Sequence, residues 1–183
     1  MQLQGSITAL TTPFTESGML DLGAWRAQID MQIRSGTAAV VVAGSTGEAA
    51  TLSDEEYSQL IELAAIRVAG RIPILAGTGL SSTAKTIRQT KLAKDSGADV
   101  ALVVTPPYVR PTQAGLHAHY LAVADAAGIP VVLYNVPGRT GCDLQPQTVG
   151  RLCSHSNIIG LKEAVGDEAR WEELYPLASP VFS

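Results

Sequence analysis

Four glycines, Gly36, Gly70, Gly97 and Gly128, recur about 30 residues apart, each closing a stretch of helical periodicity and opening onto a short apolar run. A glycine at such a place ends a helix because it enters the left-handed region without a Cβ clash. The apolar runs cover residues 7–10, 38–43, 72–76, 100–104, 129–134 and 158–161, and each is apolar on both faces. Parallel strands covered on both sides read this way. Between them lie amphipathic stripes: Leu22, Trp25, Ile29 and Ile33; Tyr57, Leu60, Ile61, Ala64 and Val68; Leu116, Tyr120, Val123 and Ala127. Ser53 and Glu56 form a capping box at the start of the second stripe. A last helix is expected near 167–177, and residues 180–183 read as the opening of a seventh strand. Strict alternation of strand and helix implies parallel pairing with right-handed crossovers. Six such βα units fit a doubly wound open sheet or a barrel, and periodicity alone does not choose.

Composition narrows the possible functions. With 46% hydrophobic and 16% charged residues, the chain has the balance of a folded core rather than of a disordered tail. Its 183 residues are few for a barrel, which typically needs ~250. A net charge of -4, from 13 basic against 17 acidic side chains, has the wrong sign for nucleic-acid binding. No run is long enough for a membrane span, and the N-terminal residues lack the basic-then-apolar order of a signal peptide, so the cytoplasm is the expected location. Cys142 and Cys153 form no C-x-x-C pair and read as packed thiols.

In parallel α/β architectures, functional groups collect where strands end. Here those ends carry Gly44-Ser45-Thr46-Gly47-Glu48, Gly77-Thr78-Gly79, Thr105-Pro106-Pro107-Tyr108, Asn135-Val136-Pro137-Gly138-Arg139 and Lys162-Glu163. Lys162 follows an apolar strand, and Gly160 on that strand is expected to leave room for a ligand. Desolvation favours a neutral amine. Lowering a lysine pKa from ~10.4 towards ~7 takes about 4 kcal/mol, which burial can supply, and gives a nucleophile able to form a Schiff base. The alternative is a lysine that snorkels to pair with Glu163.

The Gly44–Gly47 turn offers free amides and two hydroxyls for an anion, or is simply a turn whose Ser45 and Thr46 bond their own backbone. Neither it nor Gly77-Thr78-Gly79 has nucleotide-loop spacing, so no nucleotide is expected. Tyr134 closes a buried strand, and its hydroxyl needs a partner that Thr46 or Tyr108 could supply; otherwise Tyr134 is core and Tyr108 a surface aromatic. Arg139 is either a carboxylate clamp or a solvated charge. His117, His119 and His155 have no ligand spacing, so no metal is expected.

Taken in order, G-S-T-G-E, A-G-T-G, T-P-P-Y, Y-N-V-P-G-R-T-G, V-G-R-L-C and G-L-K-E resemble the dihydrodipicolinate synthase family of the N-acetylneuraminate lyase superfamily, continuously from about Gly5 to Phe182. The resemblance implies a (β/α)8 TIM barrel of class I aldolase type, present as about six βα units plus the start of strand seven. Residues 1–183 would be a single barrel domain lacking its C-terminal strands and helices. It further implies condensation of pyruvate with L-aspartate 4-semialdehyde to 4-hydroxy-tetrahydrodipicolinate, in lysine and diaminopimelate biosynthesis.

Residue by residue, Lys162 matches the Schiff-base lysine, so no cofactor or metal is implied beyond the covalent pyruvate imine. Thr46, Tyr134 and Tyr108 match the proton relay, with the Tyr108 equivalent contributed by a neighbouring subunit. The amides of Ser45 and Thr46 match the pyruvate-carboxylate cradle, and Arg139 the arginine that recognises the semialdehyde carboxylate. A homo-oligomer follows, a dimer or a dimer of dimers making a homotetramer.

Ser45 stands where synthases usually carry threonine, and G-S-T-G-E is shared with the lyases; Arg139 within N-V-P-G-R-T is the synthase feature. Asp54, Tyr57, Ser81, Lys85 and Pro107 occupy the positions of the family's lysine-inhibition pocket, where Lys85 would face the inhibitor's ammonium, so little or no response to L-lysine is expected. Two other readings stand beside the synthase: a different pyruvate-dependent aldolase, and an inert structural fragment whose unclosed strand edges need covering.

Overall fold

The computed structural model describes residues 3–178 and 180–182. Ser183 of the predicted strand opening lies outside the described residues, as do Met1 and Gln2. Among the described residues seven strands alternate with helices, grouped in two compact units: one runs up to Gly77 and adds Leu92–Val100, the other comprises Thr78–Lys91 and the residues from Ala101 onward.

In the first unit, β1 (Ile7–Ala9), β2 (Ala39–Val42) and β3 (Ile74–Gly77) pair in parallel and in sequence order, with Ile7 opposite Ala39 and Val40 opposite Ile74. α1 (Leu22–Arg34) starts on Asp21, whose carboxylate accepts from the Ala24 amide at 2.9 Å. α2 (Asp54–Val68) starts on the expected capping box: the Ser53 hydroxyl accepts from the Glu56 amide at 3.2 Å and the Glu56 carboxylate from the Ser53 amide at 2.9 Å. The two helices bury Trp25, Ile29, Leu60 and Ile61 together, and the Trp25 indole donates to the Leu60 carbonyl at 3.1 Å. β3 begins two residues later than expected because Pro73 has no N–H for the ladder. At its end, a Cβ on Gly77 would stand 2.1 Å from the Ala43 carbonyl, so only glycine permits that approach.

The second unit holds β4 (Val100–Val104) from Ala101 onward, β5 (Val131–Asn135), β6 (Ile158–Glu163) and β7 (Val181–Phe182), again parallel and in order. α3 (Thr83–Asp95) enters it from Thr83 to Lys91, and α4 (Gln113–Ala127) follows β4. Leu116, Tyr120 and Val123 of α4 pack with Val103, Leu133 and Leu161, and the Tyr120 hydroxyl donates to the Val103 carbonyl at 3.1 Å. After β5 come two short helices the apolar periodicity does not reveal, α5 (Pro137–Thr140) and α6 (Pro146–Leu152), each opened by a proline at its first position. α7 (Glu168–Leu174) is shorter than expected.

All four stop-signal glycines have positive φ, 74° at Gly36, 72° at Gly70, 103° at Gly97 and 68° at Gly128. Gly160 differs from expectation. A Cβ there would lie 2.9 Å from the Pro180 carbonyl, which accepts from the Leu161 amide at 3.0 Å, so the missing side chain admits the approach to β7 rather than a ligand. Among the described residues no helix is long and apolar enough to cross a membrane.

Candidate active site

β6 runs two residues further than its apolar pattern, so Lys162 lies inside the strand, directly opposite Tyr134 of β5. A shift in register after Val131 sets this pairing, and the next pair is Asn135 opposite Glu163. Alternation then divides the four side chains between two faces of the sheet. Tyr134 and Lys162 share one: Nζ stands 4.6 Å from the centre of the Tyr134 ring. Tyr134 is 7% exposed, and burial holds the Lys162 amine below the usual lysine range.

The snorkelling alternative fails on the other face. Glu163 is fully buried and turns away from Lys162 to Arg170 of α7, whose Nε donates to its carboxylate at 2.8 Å. Asn135 Nδ2 donates to the two Glu163 oxygens at 3.0 and 3.1 Å and to Asp143 at 2.8 Å. The Val165 amide donates to Glu163 at 2.9 Å. Arg170 also donates to one Asp143 oxygen at 3.1 Å and to the Leu144 carbonyl at 2.7 Å, and lies 2.9 Å from the other Asp143 oxygen as an ion pair. A buried carboxylate needs this density of partners. The sequence reading misses the cluster; the signal was a glutamate at a strand end followed seven residues later by an arginine.

Tyr108 is 92% exposed and takes φ 73°, with Arg110 at φ 46°. Two left-handed non-glycine residues cost about 1–2 kcal/mol each. Thr140 of α5 holds the loop: its carbonyl accepts from the Tyr108 amide at 3.1 Å, and its buried hydroxyl accepts from the Thr105 hydroxyl at 3.0 Å. The T-P-P-Y and N-V-P-G-R-T segments are thereby tied to each other, a link invisible in either motif. Among the described residues no hydrogen bond joins the hydroxyls of Tyr108 and Tyr134. Arg139 is exposed on α5.

In the first unit, Ser45 and Thr46 are exposed in a tight turn after β2. The Gly47 and Ala49 amides close it onto the Gly44 carbonyl at 3.1 and 3.3 Å, and the Thr12 hydroxyl clamps the Gly47 carbonyl at 2.7 Å. Among the described residues no backbone carbonyl accepts from the Ser45 or Thr46 amides.

Among the described residues no three His, Cys, Asp or Glu side chains gather as a metal site. His119 is 6% exposed with its Nδ1 2.9 Å from the Thr83 hydroxyl, and burial pushes its pKa down to about 4. His155 contacts Asp125 at 3.0 Å. Both cysteines are free, and burial pushes their thiols up, as suits packed residues.

A sequence model of the dihydrodipicolinate synthetase family matches residues 2–183. The 4-hydroxy-tetrahydrodipicolinate synthase of Stenotrophomonas maltophilia (strain K279a) is 63% identical over 183 residues, 100% of this chain and 62% of the relative. That of Xylella fastidiosa (strain Temecula1) is 60% identical, over 100% of this chain and 61% of the relative. Among solved structures, the chloride-inhibited dihydrodipicolinate synthase of Acinetobacter baumannii complexed with pyruvate superposes with a TM-score of 0.93 at 48% identity, over 94% of this chain and 60% of that one. The dihydrodipicolinate synthase of Aquifex aeolicus gives 0.93 at 42%, over 99% and 62%. The chain thus spans about three fifths of the length of the curated relatives it matches. The expected fold class, a (β/α)8 barrel carried in part, agrees with these likenesses, and a match that runs through every described strand makes the chain a member of the dihydrodipicolinate synthetase family.

Proposed function

We propose that this chain carries the Schiff-base chemistry that condenses pyruvate with L-aspartate 4-semialdehyde to 4-hydroxy-tetrahydrodipicolinate, the product named in its curated relatives. The observation that carries the reading is the Lys162–Tyr134 pair, a half-buried amine with a lowered pKa facing a buried tyrosine. Neutral Lys162 attacks the ketone carbon of pyruvate. The resulting hydroxyl takes up a proton and leaves as water, and a protonated imine remains. That imine withdraws electrons from the pyruvate methyl group, which loses a proton to give an enamine. The enamine carbon then adds to the aldehyde of the semialdehyde. Finally the substrate amine attacks the imine carbon, the bond to Lys162 breaks and the ring closes.

Tyr134 moves the protons in this scheme, with Thr46 and with Tyr108 from a neighbouring subunit. The exposure of Tyr108 and of Val109 beside it supports a subunit contact there, and hence a homodimer or a homotetramer built from two dimers. The Ser45 and Thr46 amides hold the pyruvate carboxylate, and Arg139 the semialdehyde carboxylate. The scheme uses no cofactor or metal beyond the imine itself. Unbridged Cys142 and Cys153 suit a cytoplasmic location. The exposed Lys85 side chain supports a weak response to L-lysine, tested by adding it to the assay below.

The test offers the chain pyruvate with either aspartate semialdehyde or a sugar-acid aldehyde and follows products by mass spectrometry. The reading expects the cyclic product with the semialdehyde alone, and none from Lys162→Ala. Product from the sugar-acid aldehyde alone, or undiminished product from Lys162→Ala, contradicts it.

A further inference from the structure

Lys162 has a four-carbon stem, and something must hold its backbone so that Nζ lies over Tyr134 rather than elsewhere. Lys162 is paired on both sides of β6, with Phe182 of β7 and with Tyr134 of β5. Past Lys162, the strand is held by its pairing with Asn135 of β5 and by Glu163 and its partners. Asn135 on β5, the Val165 amide after β6 and Arg170 on α7 bond Glu163 directly, and Asp143 and Leu144 before α6 bond Asn135 and Arg170 in turn. Asn135 has its own anchor, accepting from the Leu144 amide at 2.9 Å, and the Ala164 amide donates to the Asn135 carbonyl at 3.0 Å. Asn135 and Glu163 directly follow Tyr134 and Lys162 in the chain and pair with each other. Whatever fixes the second pair fixes the register of the first.

We propose that Glu163, gripped by Arg170 and Asn135, is a positioning residue for Lys162: the cluster on the rear face of the β5–β6 ladder aims the amine on the front face at the substrate carbonyl. This rests on the Schiff-base reading of Lys162. The planar guanidinium of Arg170 matters as a fork, because it holds Glu163 and Asp143 together, whereas an ammonium at that place offers a point charge. The consequence is kinetic, since displacing a reacting group by ~1 Å costs on the order of 100-fold in rate.

The test mixes the 183-residue chain with pyruvate, quenches with borohydride at successive times and measures label at Lys162 by peptide mass spectrometry. It is repeated for Glu163→Gln and Arg170→Lys, two conservative changes of which either alone suffices if the other does not fold. A positioning role lowers the labelling rate constant by about 10- to 100-fold while the final labelled fraction and the half-saturating pyruvate concentration stay the same. A merely structural role lowers the final fraction, in proportion to unfolded chains, and leaves the rate constant alone. That result, or rate constants within about twofold of the unsubstituted chain, overturns the proposal. An unsubstituted chain that takes no label at Lys162 overturns the Schiff-base reading itself, and the positioning role with it.

Discussion

Lys162 and Tyr134 are directly paired across β6 and β5, and the lysine Nζ rests 4.6 Å from the tyrosine ring centre. The ring face and the burial act on the amine in opposite senses. The quadrupole attracts an ammonium, whereas desolvation favours the neutral form, and burial sets the direction by lowering the pKa. The same tyrosine brings a hydroxyl to the face of the sheet that carries the Lys162 amine.

Tyr134→Phe separates the ring from the hydroxyl. Packing is retained and one hydroxyl is lost, so thermal stability changes by about 1 kcal/mol or less. The rate of imine formation falls by roughly 100-fold or more, since positioned acid–base groups contribute on that scale. Paired melting curves and rapid-quench trapping check both. An unchanged rate would remove Tyr134 from the proton path.

The lowered pKa of Lys162 has consequences for rate and for stability. Imine formation rises with pH and levels off below the ~10.4 of an ordinary lysine. Between the lowered pKa and ~10.4, the unfolded chain binds the proton that the folded chain does not, so stability rises with pH across that window. Lys162→Met abolishes this alkaline gain. Denaturant melts of both proteins across the window measure it, and parallel pH profiles would show that the amine is unperturbed.

Gly160 and Gly166 make a contrasting pair. An alanine Cβ at 160 meets the Pro180 carbonyl at 2.9 Å, while at 166 it meets nothing within 4 Å. Gly160→Ala is therefore expected to cost about 1–3 kcal/mol through overpacking. Gly166→Ala stays within roughly 0.5 kcal/mol of the unsubstituted chain. Equal melting temperatures for the two would show that β7 does not depend on this approach.

His119 governs part of the acid limb. Its pKa of about 4 in the folded chain lies below the ~6.5 of the unfolded chain, so unfolding takes up a proton between those values. Stability falls as pH drops through ~6.5 and the loss is complete near 4, at roughly 3 kcal/mol. His119→Gln flattens that limb, which urea titrations at stepped pH read directly.

The strands and caps were legible because a strand buried on both faces is written as an uninterrupted apolar run and a left-handed cap as a glycine. Lys162, Tyr134, Tyr108 and Arg139 were legible as residues at the ends of such runs. What escaped depends on groups distant in the chain. Glu163 reads as a mate for the lysine beside it, since nothing local shows that strand alternation sends the two to opposite faces with Arg170 waiting behind. Gly160 reads as space for a ligand until Pro180 is seen to fill it. The segment after β5 is rich in Pro and Gly and has no long apolar stripe, so α5 and α6 are hidden, and with them the Thr105–Thr140 bond that ties two motifs together.

The central claim is that Lys162 is the nucleophile, and borohydride reduction in the presence of pyruvate tests it most directly. The chain is incubated with pyruvate, reduced, digested and mapped. The account predicts one pyruvate-derived adduct, on Lys162, that is absent without pyruvate and absent from Lys162→Ala. A folded chain that shows no adduct, or carries it on another lysine such as Lys85, contradicts the account.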